Sequence, residues 1–155
     1  PRSKRPDTPK VAHASVRAAV AEAARLAPGI PLFAGGKSFG GRMTSQAQAA
    51  SSLPGVRGLI FLRFPLHPSG QPSEDRGPHL HDLEVPMLFL QGSADPLASP
   101  PLLQKLAKEL GPRATLTFFP GADHSFHVPA RTGRKDAEVM ADVLDALARW
   151  VTALD

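Results

Sequence analysis

The sequence contains no cysteine and no tyrosine, and aromatic residues make up only 6% of its 155 positions. Without cysteine the chain can form neither a disulfide nor a thiolate metal site, which fits a cytoplasmic location. No apolar run approaches the roughly 20 residues that a membrane-spanning helix needs, and no signal-like segment opens the chain. We therefore expect a globular protein without a membrane partner.

A concentrated basic surface of the kind that binds nucleic acid is also missing. The formal net charge is +4 and the isoelectric point is near 10.0. The basic residues are nevertheless scattered, apart from small groups at positions 2–5 and 131–135. Because aromatics are few and no known nucleic-acid-binding module is present, we interpret the charge as a solvated surface and expect no nucleic acid partner.

What the sequence does contain is a regular alternation of apolar, strand-like runs with amphipathic helical patterns. We expect a lead-in segment at residues 1–9 and one domain from 10 to 155, with a first helix ending near residue 27. The predicted strands are 30–34, 56–63, 85–91 and 114–119. The predicted helices that follow them are 41–52, a short one within 74–83, 100–110 and 133–154.

This alternation predicts an α/β fold, because parallel strands need helical crossovers and become covered on both faces. We expect a mostly parallel sheet of about four strands with helices on both faces. Functional groups in such sheets gather beyond the carboxyl ends of the strands. The ends of the predicted strands are therefore the places to search for chemistry.

The most informative motif is Gly-Lys-Ser-Phe-Gly at residues 36–40, directly after the first predicted strand. A serine at a sharp strand-to-helix turn projects its hydroxyl above the sheet, so Ser38 is a candidate nucleophile. Chance alone yields such a match in roughly one chain in ten of ordinary composition, and Ser38 could instead belong to a structural or anion-binding turn. A Walker-type phosphate loop is disfavoured because Pro31 stands where that motif needs glycine.

Two further residues with suitable chemistry follow later strands. Asp95 comes after the third predicted strand and His124 after the fourth. A serine hydroxyl needs a neutral imidazole to accept its proton, and the imidazole needs a carboxylate to orient it. The alternatives are a turn-capping role for Asp95, which precedes Pro96, and a plain loop role for His124. Asp123 is the rival candidate for the acid.

Weaker candidates lie in the neighbouring loops, 64–73 and 122–131, which we expect to shape the mouth of a pocket. A metal site at His79 and His81, with Asp82 beside them, is disfavoured because the turn beside Pro78 supplies no third ligand at helical spacing. We therefore predict neither a metal nor another cofactor. The candidate substrate-binding residues are Phe64, Leu66, His67, Phe126 and His127.

Taken together, these blocks resemble the α/β-hydrolase superfamily, and most of all its dienelactone-hydrolase-like branch. The likeness runs from about residue 7 to 150, and the segments 32–42, 85–92, 95–96 and 121–126 carry it. The resemblance implies cleavage of a small ester, thioester or related acyl bond through an acyl-enzyme, without a metal. It further implies that Ser38 is the nucleophile, Asp95 the acid and His124 the base, and that the Phe39 N–H lies in the oxyanion hole.

The sequence departs from the family pattern in the part before the nucleophile. Members have several strands there, including a loop that supplies a second oxyanion donor, whereas this sequence shows only one helix. We therefore expect an exposed apolar edge on the first strand, which would pair with a second copy of the chain or indicate a fragment of a longer product. The functional alternatives are a catalytically inactive binding or scaffolding module and an anion-binding protein.

Overall fold

Four parallel strands form the centre of the computed structural model, which describes residues 6–154. The first five positions of the predicted lead-in segment, with its basic group, lie outside the described residues. The strands are β1 (Leu32–Lys37), β2 (Val56–Leu62), β3 (Met87–Gly92) and β4 (Ala114–Phe119). The helices are α1 (Pro9–Leu26), α2 (Phe39–Ala50), α3 (Pro100–Leu110) and α4 (Asp136–Ala153).

The sheet has the order β1-β2-β3-β4, and every neighbouring pair is parallel. Successive residues of a strand point to opposite faces, so each strand feeds two cores. Phe61 and Phe89 belong to a larger core that includes buried residues of α1, α2 and α3. Leu88 and Leu90 belong to a second core, which α4 covers. The predicted α/β fold with helices on both faces is confirmed.

The first strand differs from its prediction in position. It begins at Leu32 instead of residue 30, after Pro31, which has no N–H to donate to a sheet, and Ile30 is 68% exposed. The residues of β1 are partly buried or exposed, as is typical of a strand with an unpaired outer edge. The cause is its place at the border of the sheet, where β2 is its one partner among the described strands.

Two helical predictions also change. The expected helix within 74–83 is reduced to a short 3-10 turn, Pro78–Asp82, because Gly77 and Pro78 interrupt the pattern. Helix α4 begins at Asp136 instead of residue 133, since Gly133 adopts a left-handed conformation (φ 70°). The side chain of Glu138 then accepts a hydrogen bond from the Lys135 N–H at 2.6 Å and caps the helix.

An apolar groove runs beside the outer edge of β1. Its volume is about 280 Å³, and it lies between α1 and the strand. The walls come from small and branched side chains of α1, such as Val16 and Val20, and from Leu32 and Phe33 of the strand. Among the described helices, none combines the length and apolar character needed to cross a bilayer.

Candidate active site

The turn between β1 and α2 positions Ser38, which is half-buried. Ser38 has φ 51° and ψ −118°, a conformation that is strained for any residue with a side chain. Its N–H donates to the Leu62 carbonyl at 3.0 Å, which ties the turn to β2. Its own carbonyl accepts from the Arg42 N–H at 3.2 Å as α2 begins. The predicted strand–turn–helix context of the motif is therefore present.

The glycines of this turn serve close packing of strand and helix. A Cβ atom on Gly41 would lie 2.7 Å from the Gly36 carbonyl oxygen, and one on Gly36 would lie 3.0 Å from backbone atoms of the helix. A Cβ atom on Gly40 would have no other atom within 4 Å. The close approach thus requires Gly36 and Gly41, whereas Gly40, the final glycine of the sequence motif, does not take part in it.

Ser38, His124 and Asp95 lie together at the carboxyl ends of three strands. The distance from Ser38 Oγ to His124 Nε2 is 2.8 Å. On the opposite side of the ring, His124 Nδ1 lies 2.6 Å from Asp95 Oδ2. The imidazole is 23% exposed and the carboxylate is completely buried. With a proton on Nδ1, the ring donates to Asp95 and leaves Nε2 free to accept the serine proton.

The buried carboxylate of Asp95 is held by two further donors. Gln91 Nε2 donates to Oδ2 at 2.5 Å, and the Leu97 N–H donates to Oδ1 at 2.8 Å. Asp123, the rival acid, accepts instead from two backbone N–H groups of its own loop, those of Ser125 and His127, at 2.6 and 3.0 Å. The geometry thus favours Asp95 as the partner of the imidazole.

A buried cation beside this carboxylate was not identified from the sequence. Arg63 follows β2, is only 6% exposed, and places its guanidinium carbon 4.8 Å from the centre of the Phe126 ring. Burial lowers the pKa of Arg63, while the negative charges of Asp95 and Asp123 act in the opposite direction. The only sequence signal was a charged residue closing an apolar strand, which is also typical of a solvated strand end.

Three of the predicted substrate-binding residues belong to the interior. Phe64 and Leu66 have no exposed surface and pack in the larger core, where the Phe64 ring lies 5.2 Å from that of Phe61. His67 is 2% exposed, and its Nε2 accepts from the Ser99 N–H at 2.8 Å. Their predicted place in a pocket wall is therefore corrected, because the loop folds inward onto the core.

The last two candidates have different surroundings. Phe126 is 3% exposed, packs edge-to-face on Phe119, and supports the guanidinium described above. It therefore lies beneath the site and not in an open wall. His127 is exposed, and its ring nitrogen lies 2.9 Å from an oxygen of Asp136 at the start of α4. This contact raises the pKa of His127 and lowers that of Asp136.

A second serine–histidine contact lies on the flank of α2. The buried Ser45 hydroxyl donates to the Arg42 carbonyl at 2.9 Å and lies 2.7 Å from His79 Nε2. Burial, together with the positive charge of Arg42, lowers the pKa of His79 to about 4. The ring is therefore neutral at physiological pH and donates from Nε2 to the serine. No carboxylate contacts this histidine in the described part of the chain, unlike His124.

Comparison with known proteins adds a family and several structural neighbours. The family model described as "Alpha/beta hydrolase domain" matches residues 1–152. A serine hydrolase without a lid from Xanthomonas campestris is 24% identical, with a TM-score of 0.66 over 96% of this chain and 61% of that one. A monoacylglycerol lipase from Paleococcus ferrophilus is 17% identical, with a TM-score of 0.73 over 99% and 79%.

Esterase 2 of Thermogutta terrifontis is a further neighbour, at 18% identity and a TM-score of 0.62 over 92% of this chain and 63% of that one. At such identities the likeness establishes the fold. The chain spans less than two thirds of the length of the Xanthomonas and Thermogutta proteins.

Proposed function

Because this chain belongs to the alpha/beta hydrolase family, we propose that it is a serine hydrolase that cleaves a small ester, thioester or related acyl bond through an acyl-enzyme. The observation that supports this proposal is the continuous hydrogen-bonded series from Ser38 through His124 to Asp95, at 2.8 and 2.6 Å. The dienelactone-hydrolase-like branch and a cytoplasmic location remain predictions.

In the proposed reaction, Ser38 Oγ attacks the acyl carbon while its proton passes to Nε2 of His124. The imidazolium that forms keeps its Nδ1–H on Asp95, whose buried negative charge stabilises it. Collapse of the tetrahedral intermediate breaks the bond to the leaving group, which takes the proton from Nε2. Water then attacks the acyl-enzyme with the same histidine as base, releasing the acid and restoring the Ser38 hydroxyl.

The developing oxyanion needs hydrogen-bond donors, and we propose the Phe39 N–H as one of them. Phe39 is the first residue of α2, where N–H groups have no acceptor within the helix. Among residues 6–154 no acceptor contacts this N–H. The partial positive charge at a helix N-terminus also favours an anion at this position. Such a donor typically contributes about a hundredfold or more to turnover.

We further propose that two copies of the chain pair through the outer edge of β1. That edge carries backbone N–H and C=O groups which no other described strand satisfies, beside an apolar groove. Two such edges related by a twofold axis would complete each other's hydrogen bonds and cover both grooves. Sedimentation equilibrium tests the proposal, and a monomer that persists at high protein concentration contradicts it.

A fluorophosphonate probe tests the proposed hydrolase directly. We expect covalent labelling of the wild-type chain, loss of labelling in Ser38→Ala and a sharp decrease in His124→Ala. Ser45→Ala is the matched control, because Ser45 also contacts a histidine, at 2.7 Å, but has no exposed surface. A folded wild-type protein that takes up no probe would contradict the proposal and favour the binding or scaffolding alternative.

A further inference from the structure

A glutamine side chain is buried against the carboxylate of Asp95. Gln91 belongs to β3 and has no exposed surface. Its Nε2 donates to Asp95 Oδ2 at 2.5 Å, and the same oxygen lies 2.6 Å from His124 Nδ1. Gln91 therefore lies too deep to touch a substrate, yet a single carboxylate separates it from the imidazole that faces Ser38.

The two ends of the Gln91 amide have unequal surroundings. Its Nε2 contacts the carboxylate, whereas its Oε1 is buried and has no hydrogen-bond partner among residues 6–154. Turning the amide over would place Oε1 against the negatively charged oxygen of Asp95, and two acceptors repel each other. The carboxylate thus determines which end of the amide faces it.

Core packing does not account for an amide at this position. All six residues of β3 are buried, and a buried carbonyl oxygen without a donor costs free energy that an apolar side chain would avoid. The contact that offsets this cost is the hydrogen bond to Asp95, because hydrogen bonds to charged groups are the strong ones. The presence of glutamine is therefore explained by the carboxylate and not by the core.

The strand that carries Gln91 is well suited to fix the carboxylate. It lies between β2 and β4, and Gln91 is in register with Phe118 of β4. Asp95 lies in the loop after β3, and its Oδ1 accepts from the Leu97 N–H of that same loop. Among the described donors to this carboxylate, Gln91 alone comes from the sheet. A group on a strand holds a neighbouring side chain more precisely than a group on a loop does.

We infer that Gln91 is a positioning residue, which holds Oδ2 of Asp95 in place for the Nδ1–H of His124. The ring then keeps Nε2 free to accept the proton of Ser38. Without this donor the carboxylate can turn about its remaining bond to Leu97, and the imidazole loses its fixed tautomer. This inference rests on the proposed hydrolase function and adds to it a side chain that touches neither the substrate nor the reacting atoms.

The test replaces Gln91 by methionine, which has a similar length and volume but no hydrogen-bond donor. We expect kcat for 4-nitrophenyl hexanoate to fall about tenfold or more, since a hydrogen bond to a charged group is lost. KM should stay unchanged, because Gln91 has no exposed surface that could contact the ester. The midpoint of urea unfolding should change little, because the unpaired Oε1 is removed together with the donor.

Gln48→Met is the matched control. Gln48 lies near the end of α2, is 8% exposed, and its Oε1 accepts from the Leu53 N–H at 2.9 Å. The substitution leaves this buried N–H without its acceptor, so the variant should unfold at a lower urea concentration. Its kcat should stay within about twofold of wild type. The two glutamines should thus show opposite effects, one on turnover and the other on stability.

Gln91→Glu distinguishes hydrogen bonding from packing. The new carboxyl has nearly the shape of the amide but donates to Asp95 only while it holds a proton. The ratio of kcat in Gln91→Glu to kcat in Gln91→Met should therefore fall as the pH rises, because two adjacent carboxylates repel each other. Titration of His124 and the charges of Arg63 and Asp123 act on both variants and cancel in this ratio. A ratio that does not change with pH overturns the inference.

A spectrum of the imidazole separates this inference from the proposed reaction. With isotope-labelled histidine, the nitrogen resonances of His124 report which ring nitrogen holds the proton, without any substrate, and His124→Ala assigns them. We expect the Nδ1–H form in wild type and in Gln48→Met, and a mixture of both forms in Gln91→Met. That result supports the inference even if no ester is hydrolysed. An unchanged Nδ1–H form in Gln91→Met, or in an active enzyme a loss of kcat no greater than in Gln48→Met, overturns it.

Discussion

The strongest test of the proposed active site replaces Asp95 by asparagine. Oδ2 of Asp95 accepts from His124 Nδ1 and from Gln91 Nε2, and Oδ1 accepts from the Leu97 N–H. An amide has one acceptor oxygen in place of two. If that oxygen keeps the bond to Leu97, the NH₂ group faces the imidazole and can only donate to it.

The consequence for catalysis follows from the two ends of the imidazole ring. An amide donor at Nδ1 requires that nitrogen to be bare, so the proton moves to Nε2, which faces Ser38 Oγ at 2.8 Å. A protonated Nε2 cannot accept the serine proton. We expect kcat to fall by about four orders of magnitude, as tautomer reversal does in serine proteases, which corresponds to about 5.5 kcal/mol of transition-state stabilisation.

The assay measures kcat for 4-nitrophenyl hexanoate, with thermal unfolding measured in parallel to confirm a folded variant. Asp123→Asn is the matched control, because among the described residues its carboxylate accepts from backbone N–H groups of the same loop and from no other donor. This control should lose less than about tenfold in rate. The reasoning is refuted if Asp95→Asn retains more than about a tenth of wild-type turnover, or if the large loss occurs in Asp123→Asn instead.

Three further outcomes are expected. Gly92→Ala should lower the free energy of unfolding in urea by about 2 kcal/mol or more, because the new Cβ would lie 2.2 Å from a backbone oxygen. Gly40→Ala has open space around its Cβ and should raise the free energy of unfolding by up to about 1 kcal/mol. Equal effects of the two substitutions would contradict the packing argument. His79, with a pKa of about 4 against 6.5 unfolded, binds fewer protons when folded. The free energy of unfolding should therefore decrease as the pH falls from 6.5 to 4, by about 1–2 kcal/mol because His79 is partly exposed. His79→Gln should reduce this dependence of stability on pH. Arg63→Met removes the buried positive charge that acts on Asp95 and Asp123 and should lower kcat/KM; an unchanged kcat/KM would exclude a role of this charge in the site.

Much of the sheet could be predicted from local pattern. A run of apolar residues between helical patterns requires burial on both faces, so β2, β3 and β4 were placed within two residues of their observed ends. The burial of β1 could not be predicted this way, because an edge strand and a central strand differ in their neighbours and not in their own residues. The border position of β1 was expected instead from the departure from the family pattern, and among the described strands β2 alone pairs with it.

The candidate site also has a part that could be predicted from the sequence and a part that could not. Ser38, Asp95 and His124 each follow a strand, and parallel strands bring their carboxyl ends to one edge, so their convergence could be predicted. The inward packing of the segment after β2 could not be predicted. It contacts distant residues, as when the His67 N–H donates to the Leu97 carbonyl at 3.0 Å, and such pairing leaves no periodic signal in either segment.

The hydrogen-bonded series of Ser38, His124 and Asp95 does not depend on the outer edge of β1. The turn at Ser38 is fixed from the inner side, by its N–H bond to the Leu62 carbonyl of β2, and the imidazole and carboxylate come from loops after β4 and β3. Pairing at the outer edge of β1 would therefore leave the proton relay in place. Dimerisation should thus leave labelling of Ser38 by a reactive probe unchanged.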